Sequence, residues 1–253
     1  MLEQILPAGV FALLLVFVRI GAALMLLPGF GEPYVAPRIR LLLALLITLV
    51  VTPVLAPVLP EAPASAAELG VLVLGEALVG IFFGTVARLF LAALTTAGMV
   101  IAYMSSMANA LTNDPSAAQQ GSIAGSFLTV VALITIFTLN LHHLMLIAVV
   151  DSYGIFVPGE ALPLGDFADT MSRVVAQTFL LSFQMAAPFV AAGLIFYLGL
   201  GLLGRLMPQM QVFFVAMPLQ IAIGLIVLAA VLPVAIRWFT SALEQSLMPF
   251  VAL

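Results

Sequence analysis

Residues 69–104 read LGVLVLGEALVGIFFGTVARLFLAALTTAGMVIAYM, 36 positions with only two formally charged side chains, Glu76 and Arg88. Apolar residues follow one another without the strict alternation that a half-buried strand needs. A bilayer's hydrocarbon core is about 30 Å thick and is spanned by about 20 apolar helical residues. In lipid only a helix or a closed barrel satisfies its own backbone groups, and unbroken apolar runs exclude a barrel of short alternating strands. As one helix the stretch would reach roughly 54 Å at 1.5 Å per residue, so it is expected to kink or to leave the membrane.

The same ruler finds five more runs outward from this one: Gly9–Leu27 and Ile39–Leu59 before it, then Ile123–Val150, Phe179–Leu203 and Val212–Ile236. Breakers separate them: Pro28-Gly29-Phe30-Gly31-Glu32-Pro33, then Pro53, Pro57, Pro60 and Pro63, and later Pro158-Gly159-Glu160 with Pro163. The expected fold is all-α, a polytopic helical membrane-type protein of about six long hydrophobic helices, with residues 1–253 forming a single domain. The stretch before the first run has Glu3 and no Lys or Arg, so that run reads as a retained span and not as a cleaved signal.

Composition agrees. Of 253 residues, 64% are hydrophobic and 7% charged, and the mean hydropathy is +1.31. That leaves too little polar surface for a water-soluble globule. The net charge is −4, and the seven basic residues, all Arg (19, 38, 40, 88, 173, 205 and 237), form no basic tract, which argues against nucleic-acid binding. Zero Cys removes disulfides and thiolate ligands. Arg38, Arg40 and Arg205 fall in the first and fifth connectors, whereas Glu61, Glu68, Glu160, Asp166 and Asp169 fall in the second and fourth. The positive-inside rule then puts both termini outside the cytoplasm.

Arg19, Glu76 and Arg88 lie inside apolar runs, where a lipid-facing arginine costs about 2.5–3.5 kcal/mol or more. Glu76 and Arg88 are 12 positions apart, about 18 Å along a straight helix, so they cannot pair with each other. Structural pairing, with one another or with partner subunits, is the favoured reading over an ion path, and because Glu76 and Arg88 cannot meet, the three read as assembly charges pointing to other chains. His142 and His143 diverge by about 100° on a helix and have no further ligand three or four residues away, so a satisfied polar residue at a packing surface is the better reading than a metal site. Gly80 and Gly84, and Gly193 to Gly204, allow close helix approach. No nucleophile with a nearby base, no metal-ligand cluster and no phosphate-cradling loop appears, so no enzyme and no cofactor is expected.

The stretch Arg205-Leu206-Met207-Pro208-Gln209-Met210-Gln211-Val212-Phe213-Phe214-Val215-Ala216-Met217-Pro218-Leu219 resembles the C-terminal signature of the FliR family, whose injectisome counterpart is SctT. Three further segments resemble that family in the same order: Arg19 through Leu27-Pro28-Gly29-Phe30-Gly31 into Pro37-Arg38-Ile39-Arg40, the Asp114-Pro115 connector after Gly98, and the Asn140-Leu141-His142-His143 turn.

The resemblance implies a subunit of the flagellar type III export gate in the bacterial inner membrane, within the flagellar basal body. Its implied partners are FliP-like and FliQ-like subunits, FlhB-like and FlhA-like export proteins, and exported flagellar proteins as substrates. It also implies hairpins lifted partly out of the bilayer, with a FliP-like part over about 1–177 and a FliQ-like hairpin over about 178–253. The polar, almost uncharged connector Ser105–Gly121 matches the loop that plugs the closed channel. Met104, Met107, Asn109 and Leu111 are its constriction residues, with Asp114 and Pro115 in the same loop, because Met adapts its shape to varied neighbours. Arg205, Pro208, Gln209 and Gln211 mark the hairpin tip. A small-molecule secondary transporter is the reading from another class; it would show repeated halves, and none is visible.

Overall fold

Long apolar runs free of internal charge pairs have one way to bury their backbone, and the chain takes it throughout. The computed structural model describes residues 2–107, 122–206 and 212–251. Among them are seven α-helices and no strand: α1 Leu2–Leu26, α2 Pro37–Leu55, α3 Ala66–Met104, α4 Ile123–Thr138, α5 Leu141–Asp151, α6 Leu164–Leu206 and α7 Val212–Leu247. Five are long and apolar enough to cross a membrane, or six when α4 and α5 count as one broken span. The chain is a polytopic helical membrane protein.

Two departures from the expected runs have physical reasons. The fourth run is not one helix: it breaks after Thr138, and Asn140, at φ 58°, takes the left-handed conformation that ends one helix and starts the next. The fifth run begins 15 residues earlier than its apolar part, at Leu164 and not Phe179. Asp166 in its first turn suits the positive end of the helix dipole, and Arg173 donates to Thr170 Oγ1 one turn back, so the polar stretch continues the helix. The third run is indeed one helix, 39 residues and roughly 58 Å long, and α6, at 43 residues, is longer still. Pro53, Pro188, Pro218 and Pro233 all lie inside helices, a placement tolerated where neighbouring helices satisfy the freed carbonyls.

The chain divides into two compact units. The first comprises residues 1–89, 136–174 and 243–253. Its core joins Leu15, Ile20 and Leu24 of α1 to Val79, Phe83 and Val86 of α3, Met145 and Val149 of α5, and Leu243 and Leu247 at the end of α7. α1 packs on α2, and Gly84 lets α3 close on α1: a methyl added there would lie 2.5 Å from Leu26 Cβ. Phenylalanines fill one end, with Phe82 stacked on Phe167 at 4.4 Å and Phe250 edge-on to Phe83 at 4.9 Å.

The second unit comprises residues 90–135 and 175–242. Phe90, Leu94 and Ile101 of α3, Leu128 and Ala132 of α4, Met185 and Phe189 of α6, and Phe239 of α7 form its core. α3 and α4 cross backbone to backbone at Gly98 and Gly125, and Ser122 Oγ donates to the Gly98 carbonyl at 2.7 Å. Ser182 of α6 donates to the Ala93 carbonyl of α3 at 3.0 Å. The outer faces are as apolar as the cores: Ile195 and Leu198 of α6 are 72% and 70% exposed. Such a surface requires lipid or other subunits to cover it.

Candidate functional site

In the first unit the charged centre is closed. Arg19 Nε donates to Glu76 Oε2 at 2.7 Å and Nη2 to Oε1 at 2.8 Å, a bidentate pair between α1 and α3. Nη1 donates to Ser152 Oγ at 3.0 Å and Nη2 also to the Phe156 carbonyl at 2.8 Å, while the Tyr153 ring lies 3.6 Å from the guanidinium carbon. Arg19 and Glu76 are 1% and 2% exposed. The expectation that both turn outward to other chains is therefore corrected: each finds its counter-charge inside this chain. Sequence spacing hid the pair because 57 residues separate its members. Arg88 behaves otherwise; it is exposed on α3 and has no ion pair among the described residues.

The histidines also differ from expectation. Their rings approach to 4.1 Å, and Phe137 sits 4.8 Å from the His142 ring. His142 Nδ1 is buried without a hydrogen-bond partner among the described residues, so the imidazole is packed more than satisfied. No group of three His, Asp or Glu side chains among those residues is placed to hold a metal.

In the second unit the base of the polar connector is clasped by α6 and α7. Gln220, 3% exposed, donates its amide N–H to the Met104 carbonyl at 2.7 Å and accepts from Ser106 Oγ at 2.7 Å. Ser106 holds a left-handed φ of 56°, which turns the chain out of α3. Gly224 makes room for Ser105: a methyl there would sit 2.6 Å from the serine Cβ and 3.6 Å from Met107 Cε. Gly193 on α6 does the same for Met104, whose sulfur would lie 3.2 Å from an added methyl. Met104 and Met107 thus pack into this unit. Asn109, Leu111, Asp114 and Pro115 lie outside the described residues, as do Pro208, Gln209 and Gln211; Arg205 is exposed at the end of α6. Sequence reasoning missed Gln220, whose signal was a lone amide inside an apolar run, two residues after Pro218.

Long helices with bare apolar faces, an internally neutralised charge centre and a hydrogen-bonded clasp at a polar connector define a polytopic helical membrane protein. The model of the family described as bacterial export proteins, family 1, matches residues 10–246. Relatives include the flagellar biosynthetic protein FliR of Caulobacter vibrioides, 39% identical over 230 residues, which covers 90% of this chain and 92% of that protein. The FliR of Bacillus subtilis is 32% identical over 86% of this chain and 84% of its own length. The Yop proteins translocation protein T of Yersinia pestis is 28% identical over 67% and 66%. The chain belongs to the bacterial export protein family 1 and, within it, to the FliR type.

Proposed function

We propose that this chain is the FliR-type subunit of a flagellar type III export gate in the bacterial inner membrane, where it helps form and close the channel through which unfolded flagellar proteins leave the cell. The observation that carries this reading is the 39% identity to a flagellar biosynthetic protein along nearly the full length of both chains. The translocation relative from Yersinia aligns over a shorter stretch at lower identity, so the flagellar system is preferred to an injectisome. The role is structural and gating, not enzymatic.

On this reading FliP-like and FliQ-like subunits cover the apolar faces, with FlhB-like and FlhA-like proteins alongside; residues 1–177 take the FliP-like place and 178–253 the FliQ-like hairpin. Arg88 is an assembly charge awaiting a carboxylate from a neighbour. The connector Ser105–Gly121, with Met104, Met107, Asn109 and Leu111 at its constriction, is the plug, and the clasp on Gln220 supports this by fixing the direction in which the chain leaves α3. Loss of the gene should abolish motility and flagellar export, and the tagged chain should co-purify with FliP-like and FliQ-like subunits; recovery of the chain alone would overturn the proposal. Deleting Ala108 to Thr112 should make membranes holding the assembled gate leak ions, and an unchanged conductance would remove the plug.

A further inference from the structure

The first unit contains a cavity of about 790 Å³ that the export-gate reading leaves unused. Its walls are the opening turns of α3, with Val71, Leu74 and Leu78 turned into it, and the connector carrying Leu162 ahead of α6. The Arg19–Glu76 pair also lines it. Because that pair is bidentate and net neutral, it presents no uncompensated charge to an incoming group. The remaining charged side chains lining the cavity are Glu61, Glu68 and Glu160, all exposed, and none has an ion pair among the described residues.

Shape and charge together restrict the occupant. The cavity is open to the surface along exposed Val71, Leu74 and Leu78, and this apolar wall asks for an apolar body. Three unneutralised carboxylates among the lining residues repel anionic headgroups and favour a cation. A bare acyl chain would satisfy the wall and leave the carboxylates unmatched. An apolar peptide segment ending in Lys or Arg satisfies both, since such side chains lay an apolar stem along a wall and hold the charge at its edge.

We infer that this cavity is the socket for an apolar, Lys- or Arg-bearing segment of a neighbouring export-gate subunit; the inference rests on the reading of the chain as a gate subunit. A photo-crosslinking residue, benzoylphenylalanine, at Leu74 of the full chain, in cells with a working flagellar export system, tests it. The expected adduct maps to a segment of a gate subunit with a Lys or Arg within one helical turn of the crosslinked position. Changing Glu61→Lys, Glu68→Lys and Glu160→Lys together should lower its yield about tenfold, since the incoming basic side chain would then meet like charge in place of carboxylates. Should that variant fail to accumulate, the triple change to Gln should give a smaller fall in the same direction. Adducts only to phospholipid, only to a second copy of this chain, to a segment without a basic residue, or undiminished by the charge changes would overturn the socket, as would no adduct at all. Failure of the underlying reading shows separately, as loss of co-purification of the unmodified chain with FliP-like and FliQ-like subunits.

Discussion

Replacing either member of the Arg19–Glu76 pair strands the other charge in an apolar interior, together with the Ser152 hydroxyl and Phe156 carbonyl that now face Arg19. Arg19→Met or Glu76→Leu should each cost about 3–5 kcal/mol, and the double replacement less than either alone. Thermal inactivation of the detergent-purified protein measures the cycle; additive losses would show that the two do not act as a pair. Gln220→Leu removes both clasp bonds and leaves a buried carbonyl and hydroxyl unmet, a loss of about 1–3 kcal/mol. Backbone hydrogen exchange over residues 104–107 should speed up, and Gln220→Glu, which keeps the acceptor but sets a buried carboxylate oxygen against the Met104 carbonyl, should speed it up as well. Exchange indistinguishable from the parent would remove Gln220 from the clasp. Neither partner set was legible in the sequence. Arg19 and Glu76 announced that they needed company, but nothing in a one-dimensional chain says which of several apolar helices supplies it.

Helices were the most legible part, because the 20-residue ruler depends only on bilayer thickness and backbone chemistry. Their ends were not. A hydropathy run stops where charge appears, whereas a helix continues as long as its side chains tolerate it, so the polar turns from Leu164 to Thr178 were read as connector and are part of α6. Glycine spacing pointed to close contacts without saying which glycines make them. The crossing of α3 and α4 uses Gly98, where a methyl would meet the Gly125 backbone, while Gly199 and Gly201 have open space within 4 Å among the described residues. Gly98→Val should therefore destabilise the protein by about 1–3 kcal/mol or block its accumulation. Gly199→Ala should be neutral or slightly stabilising, because it removes backbone freedom from a helix interior. Equal membrane levels and equal melting of the two variants would sink the crossing as the reason for Gly98.

The orientation expected from charge placement is open to direct test, since the chain has no Cys to give background labelling. Ala62→Cys and Ala161→Cys, in the two acidic connectors, should react with a membrane-impermeant maleimide on intact spheroplasts. Tyr34→Cys, in the connector before Arg38 and Arg40, should react only after the cells are opened; the reverse pattern would invert the topology. Family and fold class were legible because they rest on a long motif and on composition, properties of the chain alone. What covers the exposed apolar faces was not, because that depends on other chains.

The closed pair in the first unit also has an electrical meaning. A cell membrane holds a potential that does about 2.3 kcal/mol of work on each elementary charge moved through 100 mV. Arg19 and Glu76, locked at 2.7 Å, sum to zero, so the field exerts no net pull on the place where α1, α3 and the turn after α5 are tied together. That knot can stay still while the membrane is energised or discharged.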